Sequence, residues 1–159
     1  VKEEERAMST RSSASDEFKA QVKAAFESIE LGKPFTYRRT FTDADLALFC
    51  GISGDFNPYH MDDEFARQSW LGRRTLPGLL TASMATHLGG MIGFLATEMT
   101  FEYLAPTYPG DTITCVMRFT ERDEAKRLLT ALVTYTNQDG AEVLRARVLG
   151  FPSQIRLAQ

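Results

Sequence analysis

The sequence predicts an α+β fold in which a curved antiparallel sheet wraps around one long buried helix. Three observations predict it. Residues 77–96 are apolar almost all round, with Leu79, Leu80, Met84, Leu88, Met91, Ile92 and Phe94 among them, and a helix without a polar face is a buried helix. Residues 99–108, 111–121, 127–137 and 142–151 then read as four strands rich in Thr, Val, Tyr, Phe and Leu, divided by turn residues. Long strands joined by short turns form an antiparallel meander, not βαβ units. Finally, 159 residues make one domain, large enough to bury a core without a disulfide or metal staple.

Each element follows in chain order. Residues 1–14 carry a short mixed-charge run and a Ser-rich stretch with nothing to bury, and are expected to be a disordered tail ahead of a single domain over 15–159. Ser13, with Asp16 three residues on, can cap a helix whose Phe18, Val22, Phe26 and Ile29 recur at helical spacing. Gly32 and Pro34 stop it. Residues 35–41 alternate as a short strand. Thr42 then caps a second helix with Asp45 as reciprocal partner, and that helix is expected to end at Gly51. The stretch from Ser53 to His60 contains Gly54, Asn57 and Pro58 and reads as irregular. A short helix over 62–68 and a loop through Gly72, Arg73 and Arg74 lead to the apolar segment. Pro77 suits its first helical position, where a missing N–H costs nothing. Gly89, Gly90 and Gly93 cost about 1 kcal/mol each in helix propensity, a cost that makes sense if another backbone passes close by.

Composition narrows the function. Formal net charge is −3 and the isoelectric point about 5.4, which argues against a nucleic-acid binder. No apolar run reaches the roughly 18 residues of a membrane span, and no signal-peptide pattern is present near the N-terminus. Cys50 and Cys115 stand far apart without a CxxC, so neither a disulfide framework nor a zinc site is expected. These features predict a cytoplasmic protein without nucleic-acid or membrane partners.

The chemistry sits in the irregular stretch. Asp55 and His60 lie on either side of the Asn57-Pro58 turn, which can fold the chain so that the two side chains converge. A carboxylate and an imidazole on one water can orient it, take a proton and return one near neutral pH. Asn57 fixes the turn through its side chain. The helix that starts at Pro77-Gly78 offers unpaired N–H groups, and the Gly78 N–H can donate to a carbonyl oxygen on which charge builds. Taken alone, Asp55 is more often a turn former than a catalyst and His60 usually a structural residue; their spacing together, ahead of the apolar helix, favours catalysis. Asp62 and Asp63 read as a capped helix start instead of metal ligands, and no metal is expected.

A curved sheet around a central helix is the hot-dog fold. The run Ser53-Gly54-Asp55-Phe56-Asn57-Pro58-Tyr59-His60-Met61-Asp62, with Pro77-Gly78-Leu79-Leu80 at the head of the apolar helix, resembles the MaoC-like (R)-specific enoyl-CoA hydratases over residues 35–150. The family usually carries His-Gly where this chain has Pro77-Gly78. The resemblance implies addition of water across the C2–C3 double bond of an acyl-CoA, or its reversal, without a cofactor. Asp55 and His60 would hold the water and Gly78 would polarise the thioester carbonyl. Thr86 falls where the family tends to carry a serine near the site, with Ser83 as the rival position. Arg73 and Arg74 are either the basic patch that meets the coenzyme A phosphates or a solvated loop. Phe56, Tyr59, Leu79 and Met84 are either an acyl tunnel or core. Two further readings stay open: a hot-dog thioesterase, and a non-catalytic acyl-CoA-binding subunit. Open strand edges predict a homodimer or a higher homo-oligomer.

Overall fold

The computed structural model describes residues 14–152. The expected tail and the Ser13 cap lie outside them. Helix α1 (Asp16–Ser28) is capped by Ser15, whose hydroxyl accepts from the Phe18 N–H at 3.1 Å. It buries Ala25 and Phe26 and ends at Ser28, before Gly32 and Pro34 act. Strand β1 (Pro34–Thr40) follows.

Helix α2 (Asp43–Ser53) opens on the expected reciprocal box: the Thr42 hydroxyl accepts from Asp45 N–H while the Asp45 carboxylate accepts from Thr42 N–H. It passes through Gly51 and closes at Gly54, whose φ of +74° is left-handed and whose N–H donates to the Cys50 carbonyl. The stretch expected to be irregular is therefore helical at both ends. Asn57 caps a single turn, α3 (Pro58–Met61), by accepting from the Tyr59 N–H, with Pro58 at the position where proline is tolerated. Asp62 accepts from the Glu64 and Phe65 N–H groups and starts α4 (Asp63–Gln68).

The long buried helix is two shorter ones, α5 (Gly78–Ala82) and α6 (Met84–Met91). Side chains compete with the helical ladder at the break: the Ser83 hydroxyl donates to the Leu80 carbonyl and the Thr86 hydroxyl to the Ser83 carbonyl, both at 2.6 Å. The buried Tyr135 hydroxyl donates to the Ala82 carbonyl at 2.9 Å. Helix α6 also has an outer face, where Thr86, His87, Gly90 and Met91 are exposed. His87 stacks on Tyr37 at 3.8 Å between ring centroids.

Residues 94–96 are strand, not helix: Gly93, at φ +63°, turns the chain into β2 (Phe94–Tyr103). The sheet continues with β3 (Thr112–Asp123), β4 (Leu128–Thr136) and β5 (Glu142–Pro152). Its order is β1-β3-β4-β5-β2, every pair antiparallel. Only β3, β4 and β5 form the expected meander. Strand β2 cannot lie beside β3, because β1 takes that edge, and it pairs with β5 on the far side. Strands β3, β4 and β5 alternate buried and exposed residues, and their buried faces close over Leu80, Met84, Ala85 and Leu88 of α5 and α6. The fold is the α+β hot-dog arrangement.

Candidate active site

The loop between α2 and α3 is held by its own side chains. Asp55 N–H donates to the Ser53 hydroxyl at 3.2 Å, and Asn57 N–H donates to Asp55 Oδ1 at 3.3 Å. One carboxylate oxygen is thus tied to the turn, and the other, Oδ2, stands 3.6 Å from His60 Nε2. The His60 side chain is 13% exposed and that of Asp55 45%, so the carboxylate faces solvent and the imidazole stands behind it.

His60 is oriented from its other side. Its Nδ1 lies 2.8 Å from the Thr75 carbonyl. A carbonyl can only accept, so Nδ1 carries a proton, and in the neutral imidazole Nε2 presents its lone pair toward Asp55. Two acceptors 3.6 Å apart call for a donor at both, and a water molecule has two O–H groups to give. Thr75 is itself anchored, its N–H donating to the Tyr59 carbonyl at 3.0 Å, while Leu76 N–H donates to the Thr107 carbonyl at 2.8 Å. Thr75 carries no signal in the sequence, because the contact is made by its backbone.

Asp55 and Gly78 line one cavity of about 770 Å³ together with Trp70, Leu79, Tyr103 and Leu144. Gly78 is the first residue of α5, and neither its N–H nor that of Leu79 meets an acceptor among the described residues. Its lack of a side chain has a reason other than ligand approach: a Cβ there would lie 2.5 Å from Tyr103 Cε1. Burial raises the Tyr103 phenol above its usual range, so it stays protonated. Deeper in the same wall, the Thr81 and Thr107 hydroxyls bond to each other at 2.7 Å.

The remaining candidates divide. Asn57 caps α3 and bears on the site through the turn alone. The Thr86 and Ser83 hydroxyls bond to backbone carbonyls, and neither bonds Asp55 or His60. Arg74 is committed elsewhere, donating to Asp63 at 2.7 Å and to Asp43 at 3.0 Å. It ties α4 to the start of α2. Arg73 has no carboxylate partner among the described residues; its guanidinium lies over the Tyr108 ring, 4.1 Å from the centroid. Of the four apolar candidates, Leu79 lines the cavity, Met84 is core and Phe56 is exposed. Tyr59 packs edge-on against Phe65. Cys50 is fully buried. Its thiol is raised by that burial and by the Asp55 charge, which keeps it from acting as a thiolate.

The family model of the MaoC like domain matches residues 26–141. The (R)-specific enoyl-CoA hydratase of Rhodospirillum rubrum is 29% identical over 116 residues, 70% of this chain and 80% of that protein. The (R)-specific enoyl-CoA hydratase of Aeromonas caviae is 29% identical over 119 residues, 72% of this chain and 89% of that protein. Among solved structures, the (R)-hydratase of A. caviae involved in PHA biosynthesis superposes with a TM-score of 0.76 at 27% identity, covering 79% of this chain and 98% of that one.

Proposed function

This chain belongs to the MaoC-like domain family and is a hydro-lyase; from that premise we propose that Asp55 and His60 add water to, or remove it from, the C2–C3 bond of an acyl-CoA thioester. The observation that carries the reading is the 3.6 Å separation of Asp55 Oδ2 and His60 Nε2, with the Asp55 carboxylate on the wall of the cavity that Gly78 also lines.

Hydration then runs as follows. A water donates one O–H to the Asp55 carboxylate and the other to His60 Nε2, which leaves an oxygen lone pair for C3. As the C3–O bond forms, the pair takes one proton from the water. The C2–C3 π electrons move toward the thioester carbonyl, and negative charge builds on its oxygen. The unpaired Gly78 N–H meets that charge, at the end of a helix where the dipole also favours it. The proton held by the pair returns to C2. The product carries OH at C3 and H at C2, and both side chains are restored. Dehydration is the same path reversed. Pro77, which replaces the family's usual His, has no N–H or side-chain base to add, so the proton balance rests on Asp55 and His60. The working assembly in this reading is a homodimer.

Turnover of crotonyl-CoA tests the assignment, followed as loss of enoyl-thioester absorbance. Asp55→Asn and His60→Gln are each expected to lower kcat by about 10²–10⁴-fold, the usual contribution of general acid–base catalysis. Wild-type activity in either variant would remove that residue from the mechanism. Release of free thiol in place of a 3-hydroxyacyl product would reassign the reaction to a thioesterase.

A further inference from the structure

The wall of the cavity that holds Asp55 and Gly78 contains a buried hydroxyl pair that the hydration chemistry does not use. Thr81, on α5, is 1% exposed and Thr107, between β2 and β3, is 6% exposed, and both line the cavity. Their hydroxyls lie 2.7 Å apart. Two hydroxyls carry two protons, and the bond between them uses one. The second has no acceptor among the described residues: neither hydroxyl bonds a backbone carbonyl or a third side chain. Ser83 and Thr86, on the same apolar segment, return their protons to the Leu80 and Ser83 carbonyls, as helical hydroxyls commonly do. Thr81 does not. Nor is the pair required to join the two segments, because Leu76 N–H already donates to the Thr107 carbonyl at 2.8 Å. A buried O–H without an acceptor is costly, and the cavity is the open space beside it.

We propose that the Thr81–Thr107 pair recognises an uncharged oxygen on the acyl chain, so that the favoured substrate is a thioester whose acyl group bears a keto, ether or hydroxyl oxygen in place of a plain hydrocarbon. The assignment rests on the thioester reading above and deepens it by naming the acyl class. Thr81 stands one turn of α5 beyond Gly78, about 5 Å along the axis. A thioester carbonyl on the Gly78 N–H therefore brings the next few carbons of its chain to the pair. A hydrocarbon there leaves the O–H unmatched, whereas an oxygen accepts it. A carboxylate is disfavoured, because no Lys, Arg or His lines the cavity among the described residues and Asp55 already brings one negative charge.

Calorimetry with two saturated thioesters tests this without turnover: hexanoyl-CoA, and 4-methoxybutanoyl-CoA, which has an ether oxygen in place of one methylene and the same chain length. The wild type is expected to bind the ether about tenfold more tightly, a difference typical of a buried donor matched against one left unmatched. Thr81→Val combined with Thr107→Val keeps the side-chain shape and removes both O–H groups, and is expected to lower that preference by about tenfold. Each ratio is taken on one protein preparation, so a loss of folded protein does not move it. A wild type that binds the two equally, or prefers hexanoyl-CoA, overturns the proposal without any variant. A preference that the double variant retains in full overturns it as well. If neither thioester binds, the thioester reading falls and the proposal with it. The expected ratios without hydration of crotonyl-CoA keep the acyl class and remove the reaction.

Discussion

At the scale of single residues, the site is set by backbone groups that carry no signature in the sequence. His60 is aimed by the Thr75 carbonyl, fifteen positions away, and any residue type at position 75 supplies a carbonyl. Asp55, Asn57 and His60 were legible because their types and spacing are chemically narrow; Thr75 was not. Tyr135 makes the same point in the core. Its place on an inward-facing strand position was readable from alternation, but its hydroxyl partner, the Ala82 carbonyl, lies 53 residues earlier. That carbonyl sits at the break between α5 and α6, and deletion of the hydroxyl strands it in a buried setting. Tyr135→Phe is expected to destabilise the protein by about 1–3 kcal/mol, the cost of an unsatisfied buried acceptor. Denaturant unfolding of the two proteins measures it, and coincident midpoints would show that the Ala82 carbonyl is satisfied in another way.

At the scale of elements, helix caps made between near neighbours are the most legible features of the sequence. The Thr42–Asp45 box and the Asp62 cap involve neighbours three residues apart or fewer. The break at Ser83 joins hydroxyl contacts three residues long to the Tyr135 hydroxyl on the Ala82 carbonyl, and the start of β2 is set by its pairing with β5, some fifty residues away. Asp45 joins both kinds of contact. Burial alone would raise its carboxyl, but the Thr42 N–H and hydroxyl and the Arg39 guanidinium outweigh that and lower it below the ordinary 3.8. A lowered folded-state value means stability that is present at neutral pH and is lost as pH falls through that value. Asp45→Asn is expected to cost about 1–2 kcal/mol at pH 7, as for other lost caps. The gap to the wild type closes below about pH 4; a cost that stays constant down to pH 3 would assign it to packing. Gly150 is the least legible requirement. A Cβ there would lie 2.1 Å from the Leu95 carbonyl oxygen and 2.9 Å from Ala96 Cα, beside the irregularity in the β2–β5 register between Ala96 and Glu98. Backbone cannot swing aside as a side chain can. Gly150→Ala is therefore expected to cost about 1–3 kcal/mol, read as a lower unfolding midpoint, and an unchanged midpoint would mean that β2 yields there.

At the scale of the whole molecule, both terminal strands of the sheet, β1 and β2, lack an outer strand partner among the described residues. Strand β1 lies beside α6 and is covered in part by the stack of His87 on Tyr37. Strand β2 offers ten residues that, among the described residues, pair with β5 and with no strand on the outer side. The inner faces of β3 and β4 are sealed, with Cys115, Phe119, Ala131 and Tyr135 at 0% exposure. Along β2, by contrast, Met99 and Phe101 are only partly buried, and Leu95 and Tyr103 are exposed by about half. A long unpaired edge that shows apolar side chains to water is a liability that proteins cover. A second copy of the same chain covers it with two-fold symmetry and pairs both edges at once. It would also bring a neighbour to Tyr103, and so to the cavity that Gly78 lines. Light scattering is expected to give twice the 17.8 kDa of one chain. Leu95→Lys places a charge on the exposed face of that edge and is expected to shift the mass toward a single chain while circular dichroism stays that of the folded protein. A wild-type mass of one chain would show that β2 tolerates water, and the half-buried Met99 and Phe101 would then need another cover.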